Sequence, residues 1–142
     1  MDTFVIVNEF FSSPEKNSTL LIAVMYVNNE IGVIQPIEDI GIIAKKNNVC
    51  FLCDATQAVG KVNVDVKINN VDLLCFSGHK LNGPKGIGVL YKRNNIELTP
   101  QIHGGGQENS LRAGTYNTPL IVGLGKACEI ISNEFDIITS NL

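Results

Sequence analysis

A lysine on a short loop between two apolar segments is the residue of this chain best placed to do chemistry. Lys80 lies in the run 76–88, which reads FSGHKLNGPKGIG. The flanking segments 71–76 and 87–91 are predicted strands. A primary amine at a strand end, beside a serine and a histidine, can act as a Schiff-base nucleophile toward an aldehyde cofactor. The alternative is a lysine that is only solvated on a surface loop, which is the usual role of such a residue.

Length and composition narrow the classes of protein to which the chain can belong. Its 142 residues are enough for one core but are short for a cofactor-dependent enzyme with a separate substrate domain. The hydrophobic content of 44% and charged content of 18% are typical of a globular chain. A net charge of -3 with scattered basic residues gives no electrostatic case for nucleic-acid binding. The longest apolar run, 19–27, is shorter than the roughly 20 residues of a membrane span, and no targeting segment is visible.

The cysteines suggest buried thiols rather than a disulfide framework or a metal site. Four are present, and two of them, Cys50 and Cys53, have the spacing of a redox or zinc pair. That pair lies in an apolar, strand-like segment, and neither a second such pair nor a set of histidines accompanies it. We therefore expect no metal ion and favour ordinary buried cysteines.

The order of the elements predicts an α/β fold. Strands are expected at 19–27, 49–54, 71–76 and 87–91, and helices from Pro36 to about Asn47 and over about 119–135. Near-continuous apolar strands that alternate with helices indicate a mostly parallel sheet with helices on both faces. Ligands of such sheets bind at the carboxyl ends of the strands. Asn29, Asp54 and Lys80 all lie at or just beyond such ends.

Five short motifs occur in a fixed order along the chain. They are VNNEIG at 27–32, DATQAVGK at 54–61, SGHK at 77–80, HGGGQE at 103–108 and RAGT at 112–115. Together they resemble the pyridoxal-phosphate-dependent cysteine desulfurases of the NifS/IscS type, which are class V aminotransferases. The similarity runs from about residue 19 to 131.

This resemblance implies a domain organisation. It makes residues 19–142 part of the large, pyridoxal-phosphate-binding domain of a fold-type I transferase. The N-terminal part of that domain and the C-terminal small domain are absent from the sequence. Residues 1–18 match the family poorly and are treated as a separate N-terminal segment.

The resemblance also implies a role for each residue of the motifs. Lys80 would form the Schiff base with pyridoxal 5'-phosphate and later move protons at the substrate's α carbon. Asp54 would face the pyridine nitrogen and keep it protonated. Gln57 would donate to the phenolic oxygen of the ring, with Asn29 as a second contact on that side.

The phosphate contacts complete the implied site. Ser77 and His79 would hold the phosphate, and Thr115 would reach the phosphate of a neighbouring subunit, so that a homodimer is part of the site. Arg112 either pairs with acidic residues near the dimer interface or is only solvated on a loop. Glycines 104–106 could form a simple turn.

The implied reaction converts L-cysteine to L-alanine and passes the sulfur to an enzyme cysteine as a persulfide. An iron–sulfur scaffold or another acceptor protein would then receive it. We expect no membrane and no nucleic acid as partner, other than an indirect role in tRNA thiolation. The resemblance leaves the location open between the cytoplasm and a mitochondrial or other organellar matrix.

Other interpretations remain open at this point. A selenocysteine lyase or another class V enzyme would share the same motifs, because substrate choice depends on residues outside them. None of the four cysteines matches the context of the family's nucleophile, since each lies in an expected strand or helix. The chain alone could therefore be a non-catalytic fragment with half of a cofactor site, and we expect it to be inactive alone.

Overall fold

The computed structural model describes residues 19–140, which form one sheet with two helices. The strands are β1 (Leu21–Met25), β2 (Cys50–Asp54), β3 (Leu73–Ser77) and β4 (Gly88–Lys92). The helices are α1 (Ile37–Lys46) and α2 (Thr118–Ser140), and two short 3-10 helices span Gly78–Leu81 and Gln107–Ser110. The predicted strands and helices all exist, and α2 continues beyond the expected residue 135. The segment 1–18, predicted to match the family poorly, lies outside the described residues.

The strands are ordered β1-β2-β3-β4 in a mixed sheet. β1, β2 and β3 are parallel, and β4 is antiparallel to β3. Cys53 pairs with Val24 on one side and with Leu74 on the other. This mostly parallel sheet with helices confirms the predicted fold class. It also places the carboxyl ends of three strands at one edge.

Helix α1 connects β1 with β2 and covers the sheet with an apolar stripe. Ile37, Ile40 and Ala44 are almost fully buried along that stripe. Acidic residues occupy the first turn and lysines the last, which complements the helix dipole. At the carboxyl end, Asn47 donates from its side chain to the Ile43 carbonyl at 2.8 Å, and Asn48 takes a positive φ of 53°. The two asparagines therefore end the helix and turn the chain into β2.

The core lies between the sheet and both helices. Phe51 and Cys53 of β2 are 0% exposed and belong to the cluster that includes the α1 stripe. Leu124 and Ala127 of α2 form a second cluster, and Phe76 of β3 packs against both. Since alternate strand residues point to opposite faces, both helices lie on one face of the sheet.

The opposite face of the sheet carries no helix within residues 19–140. Leu21 of β1 and Leu90 of β4 belong to it and are 43% and 56% exposed. The prediction that helices cover both faces is thus met for one face in the described part of the chain, and for the other face it stays a prediction.

The contact between α1 and the segment before β3 generates a stability prediction. A Cβ atom at Gly41 would lie 1.9 Å from the backbone oxygen of Asn69, so the two segments would have to separate. We expect Gly41→Ala to lower the free energy of unfolding by about 2–4 kcal/mol. Thermal unfolding of the complete gene product that carries this chain measures the change.

Gly125→Ala is the matched control. Its Cβ on α2 would have nothing within 4 Å, and alanine favours a helix over glycine by about 1 kcal/mol. The control variant should therefore melt at or slightly above the wild-type temperature. Equal melting temperatures for the two variants would contradict the packing described for α1.

Candidate functional site

Lys80 lies on the 3-10 helix Gly78–Leu81 directly after β3, and its side chain is exposed. The short helix is held at both ends, because Gly78 donates to Ile87 at 2.9 Å and Gly83 donates to Gly78 at 3.0 Å. A Cβ atom at Gly78 would lie 2.8 Å from Ile87 Cγ2, so glycine lets the loop close this tightly. The backbone below Lys80 is therefore fixed, while its amine is accessible.

Ser77 and His79 form a hydrogen-bonded pair beside this lysine. Ser77 Oγ lies 2.8 Å from His79 Nδ1. If the serine donates, the imidazole keeps its proton on Nε2; if the imidazole donates from Nδ1, the serine keeps its hydroxyl hydrogen. Either arrangement leaves the pair a donor hydrogen for an anion at the end of β3.

Asp54 is the last residue of β2, and its half-buried carboxylate has two neighbours. Its Oδ1 accepts a hydrogen bond from the Thr56 backbone N–H at 2.9 Å. Cys75 pairs with Asp54 across the sheet, so its side chain lies on the same face of the sheet as the carboxylate. Burial raises the pKa of Cys75, and the charge of Asp54 raises it further. Cys75 is therefore a neutral thiol beside the carboxylate.

Gln57 lies in the turn that follows Asp54. Two fully buried alanines, Ala55 and Ala58, hold this turn against the sheet, and the Ala55 N–H donates to the Cys75 carbonyl at 2.9 Å. The half-buried Gln57 side chain accepts a hydrogen bond from Lys61 Nζ at 3.2 Å. The turn thus places the Gln57 amide and the Lys61 ammonium a short distance after Asp54 in the sequence.

Asn29 is exposed in the turn after β1. Its neighbour Asn28 shapes that turn, because Asn28 Oδ1 accepts hydrogen bonds from the N–H groups of Glu30 and Ile31 at 2.9 and 3.0 Å. The Asn28 side-chain oxygen is thus engaged by the backbone, whereas Asn29 is exposed to solvent. The exposure of Asn29 leaves its side chain accessible for the predicted contact with a ligand.

The motifs at 103–108 and 112–115 form one exposed loop before α2. Gln107 Oε1 accepts from the Gly114 N–H at 3.1 Å and so joins the two motifs. Arg112 donates to the carbonyls of Ala113 and Gly114 at 3.4 and 3.3 Å, so within residues 19–140 its recorded partners are backbone oxygens. Thr115 is exposed on this loop, and its predicted contact with a second subunit stays a prediction.

The structure brings most of the predicted residues to the carboxyl edge of the sheet. Asn29 follows β1, Asp54 and Gln57 follow β2, and the 77–80 motif follows β3. The charge of Lys80 lowers the pKa of Lys61, although burial of Lys61 is the larger cause. A Cβ atom at Gly60 would lie 3.1 Å from Leu81 of the 3-10 helix that carries Lys80, so the neighbouring Lys61 lies near the predicted site. A cavity of about 390 Å³ beside the first turn of α1 contains none of the predicted residues.

Sequence reasoning missed Lys61 and Cys75. Lys61 is in the DATQAVGK motif, and its spacing of four residues from Gln57 is a signal for a side-chain pair on a helical turn. Cys75 could have been found only from the strand register, which pairs it with Asp54.

The cysteines of the sheet are poor nucleophiles in this fold. Burial raises the pKa of Cys53 to about 12, with further contributions from Asp54 and Cys75. Burial also raises the pKa of Cys50, as does the charge of Asp72. All four cysteines are free thiols, and residues 19–140 contain no group of three metal-ligating side chains.

Comparison with known proteins places the chain in a family. The model of the family described as aminotransferase class V matches residues 8–141. The chain belongs to the class V aminotransferases. The motif-based resemblance to cysteine desulfurases is confirmed by its relatives. The chain is 54% identical over 121 residues to a cysteine desulfurase IscS of Methanosarcina thermophila, and the match covers 85% of this chain and 30% of that protein.

Further relatives agree with this placement. A mitochondrial cysteine desulfurase of Saccharomyces cerevisiae is 52% identical over 120 residues, covering 83% of this class V chain and 24% of the relative. A solved structure described as SspA in complex with cysteine has a TM-score of 0.81 and 52% identity, covering 85% of this chain and 35% of that one. The chain thus spans between 24% and 35% of the length of these three relatives. None of the helices between residues 19 and 140 has the length and apolar character that a membrane crossing requires.

The raised pKa of Cys53 predicts protection from alkylation. At pH 8, a thiol with a pKa of about 12 is ionised in only about one molecule in ten thousand, and iodoacetamide reacts with the thiolate. We expect Cys53 to stay unmodified in the folded protein and to react readily in 8 M urea, as read by peptide mass spectrometry. Equal modification in both states would contradict the burial of this thiol.

Proposed function

We propose that this chain is the cofactor-binding segment of a cysteine desulfurase that uses pyridoxal 5'-phosphate. The arrangement of Ser77, His79 and Lys80 at the end of β3 carries the proposal. An accessible amine follows directly on a hydroxyl–imidazole pair, on a loop held by backbone hydrogen bonds. The names of the relatives agree with this function.

The donor set of the site fits pyridoxal 5'-phosphate. The cofactor presents an aldehyde, a phosphate dianion, a phenolic oxygen and a pyridine nitrogen. Lys80 supplies an amine for the aldehyde, and Ser77 with His79 supplies hydrogen-bond donors for the phosphate. The Asp54 carboxylate suits a protonated pyridine nitrogen, and the Gln57 amide suits the phenolic oxygen. Each polar group of the cofactor therefore has a partner of matching chemistry.

Each residue then has a defined task. When bound, the cofactor supplies an acceptor for the electron pair that is released at the substrate's α carbon. Lys80 binds the cofactor and moves a proton at that carbon. Asp54 keeps the pyridine nitrogen protonated, and the Thr56 N–H fixes the carboxylate that does so.

Two exposed residues complete the proposed contacts. Asn29 would contact the ring on the same side as Gln57, from the turn that Asn28 shapes. Thr115 would donate to the phosphate bound by a second copy of the chain, which makes the functional unit a homodimer. The exposure of Thr115 on the loop before α2 supports a contact outside its own subunit.

The proposed reaction breaks the carbon–sulfur bond of L-cysteine. L-alanine leaves, and the sulfur passes to an enzyme cysteine as a persulfide for an iron–sulfur scaffold or another acceptor. The raised pKa values of Cys50, Cys53 and Cys75 make these three unsuitable as that nucleophile. The solved relative described as a complex with cysteine supports cysteine as the substrate. We place the reaction in the cytoplasm or in an organellar matrix.

Replacement of Lys80 tests the proposal. The complete gene product is incubated with pyridoxal phosphate, reduced with borohydride and digested for mass spectrometry, and alanine release from L-cysteine is measured in parallel. We expect a cofactor-sized addition on Lys80, and we expect Lys80→Ala to lack it and to lose activity about a hundredfold or more.

Lys85→Ala is the control for this experiment. Lys85 is also exposed on the loop between β3 and β4, but it lies outside the SGHK motif. This variant should keep both the addition and the activity. Normal turnover by Lys80→Ala would overturn the proposal.

The 142-residue chain alone should release no alanine from L-cysteine. It spans about 30% of the length of its relatives, and none of its three strand cysteines is a suitable nucleophile. The measurement is alanine production by the purified chain with added pyridoxal phosphate. Alanine formation that depends on Lys80 would contradict this expectation and would show that the chain is a catalyst by itself.

A further inference from the structure

Lys61 donates two hydrogen bonds to a single residue, Gln57. Its Nζ atom lies 3.3 Å from the Gln57 backbone oxygen and 3.2 Å from Gln57 Oε1. The two residues are four positions apart in the turn after β2, so they face each other on one side of that turn. The Lys61 ammonium therefore holds the Gln57 side chain against the turn to which both residues belong.

The backbone of the turn fixes Lys61 in this place. The N–H of Lys61 donates to the carbonyl of the fully buried Ala58 at 2.9 Å. Gly60 has a φ of +80°, and a Cβ atom there would lie 3.0–3.2 Å from side-chain atoms of Ile131 and Leu81. Glycine thus lets the turn lie against the 3-10 helix that carries Lys80. This packing brings Lys61 and Gln57 to the proposed cofactor site.

The chemistry of the pair decides which end of the amide is available to a ligand. An ammonium group only donates hydrogen bonds, so the amide atom that faces Lys61 must be the acceptor oxygen. The NH2 group is then directed away from Lys61. Without this partner, an amide can turn by 180° and present either an oxygen or an NH2 group to the same neighbour.

We propose that Lys61 is a positioning residue that fixes the Gln57 amide with its NH2 group toward the phenolic oxygen of the cofactor. The inference rests on the proposed function and deepens it, because it assigns a task to a residue outside the cofactor's own contacts. An oxygen of the amide in that place would repel the phenolic oxygen instead of donating to it. Lys61 therefore acts through Gln57.

The surroundings of Lys61 support a location at the site. Burial lowers the pKa of Lys61, and the charge of Lys80 lowers it further. This proximity also suggests a competing explanation, in which Lys61 acts on the cofactor directly through its charge. The two explanations differ in whether the effect of Lys61 requires Gln57.

A double-mutant cycle separates them with a spectroscopic signal. The complete gene product is loaded with pyridoxal phosphate, and the pH midpoint of the change in its visible absorption is measured. A donor to the phenolic oxygen weakens the hold of that oxygen on the neighbouring proton, so loss of the donor raises the midpoint. The variants are Gln57→Ala, Lys61→Met, the double variant and Lys61→Arg.

We expect Gln57→Ala and Lys61→Met each to raise the midpoint by about one pH unit. The double variant should match Gln57→Ala, because Lys61 has no amide left to orient. Lys61→Arg keeps a side chain that only donates, so its midpoint should return most of the way to the wild-type value. Lys61→Met keeps an unbranched stem of similar length, and Lys61→Arg provides a second folded variant.

Three outcomes would overturn the inference or its basis. A wild-type midpoint for Lys61→Met would show that the amide needs no positioning. A further shift of the same size in the Gln57→Ala background would show that Lys61 acts through its charge. Absence of the Lys80 addition from the wild-type protein would instead overturn the proposed function, and this outcome is read independently by mass spectrometry.

Discussion

The parallel pairing of β1, β2 and β3 is the constraint on which the rest of the structure depends. It brings the ends of three strands to one edge, although the residues that follow them are as far apart in sequence as Asn29 and Lys80. Burial of Phe51 and Cys53 under α1 holds the register. Truncation of a buried phenylalanine to alanine lowers the free energy of unfolding by about 3–5 kcal/mol, so packing of Phe51 stabilises this register strongly. A slip of one residue would move Asp54 to the other face.

The two ends of the parallel strands β1, β2 and β3 carry different kinds of polar groups. At the edge where β3 begins, Asp72 forms an ion pair with Arg93 at 2.9 Å and accepts from the Phe51 N–H at 3.1 Å. Arg93 also donates to the Val71 carbonyl at 2.9 Å. The two charges are paired with each other, and their contacts join β2, the residues before β3 and the residue after β4. At the opposite edge, Lys80 and Asn29 are exposed, so the groups available to a ligand are concentrated there.

Much of the fold could be predicted from the sequence, because its local signals agree with one another. The apolar run before Asp54 and the pattern of Ile37, Ile40 and Ala44 each indicate one type of element. The side of the sheet on which α2 packs was not accessible in this way. It depends on packing of the cluster that contains Leu124 against residues far away in sequence, such as Phe76, and no local pattern encodes this packing.

The residues of the candidate site also fall into two groups, those that local sequence motifs indicate and those that depend on tertiary contacts. Candidate residues that directly follow a strand, such as Asp54 and Lys80, can be predicted from motifs. Cys75 acts on Asp54 and Lys61 acts on Gln57, and these two pairings become visible only with the strand register and the turn geometry. A motif records which residues are near each other in the chain, but it does not state which atom of an amide faces a cation. That orientation follows from donor chemistry once the two side chains are placed, and it is the basis of the positioning role proposed for Lys61.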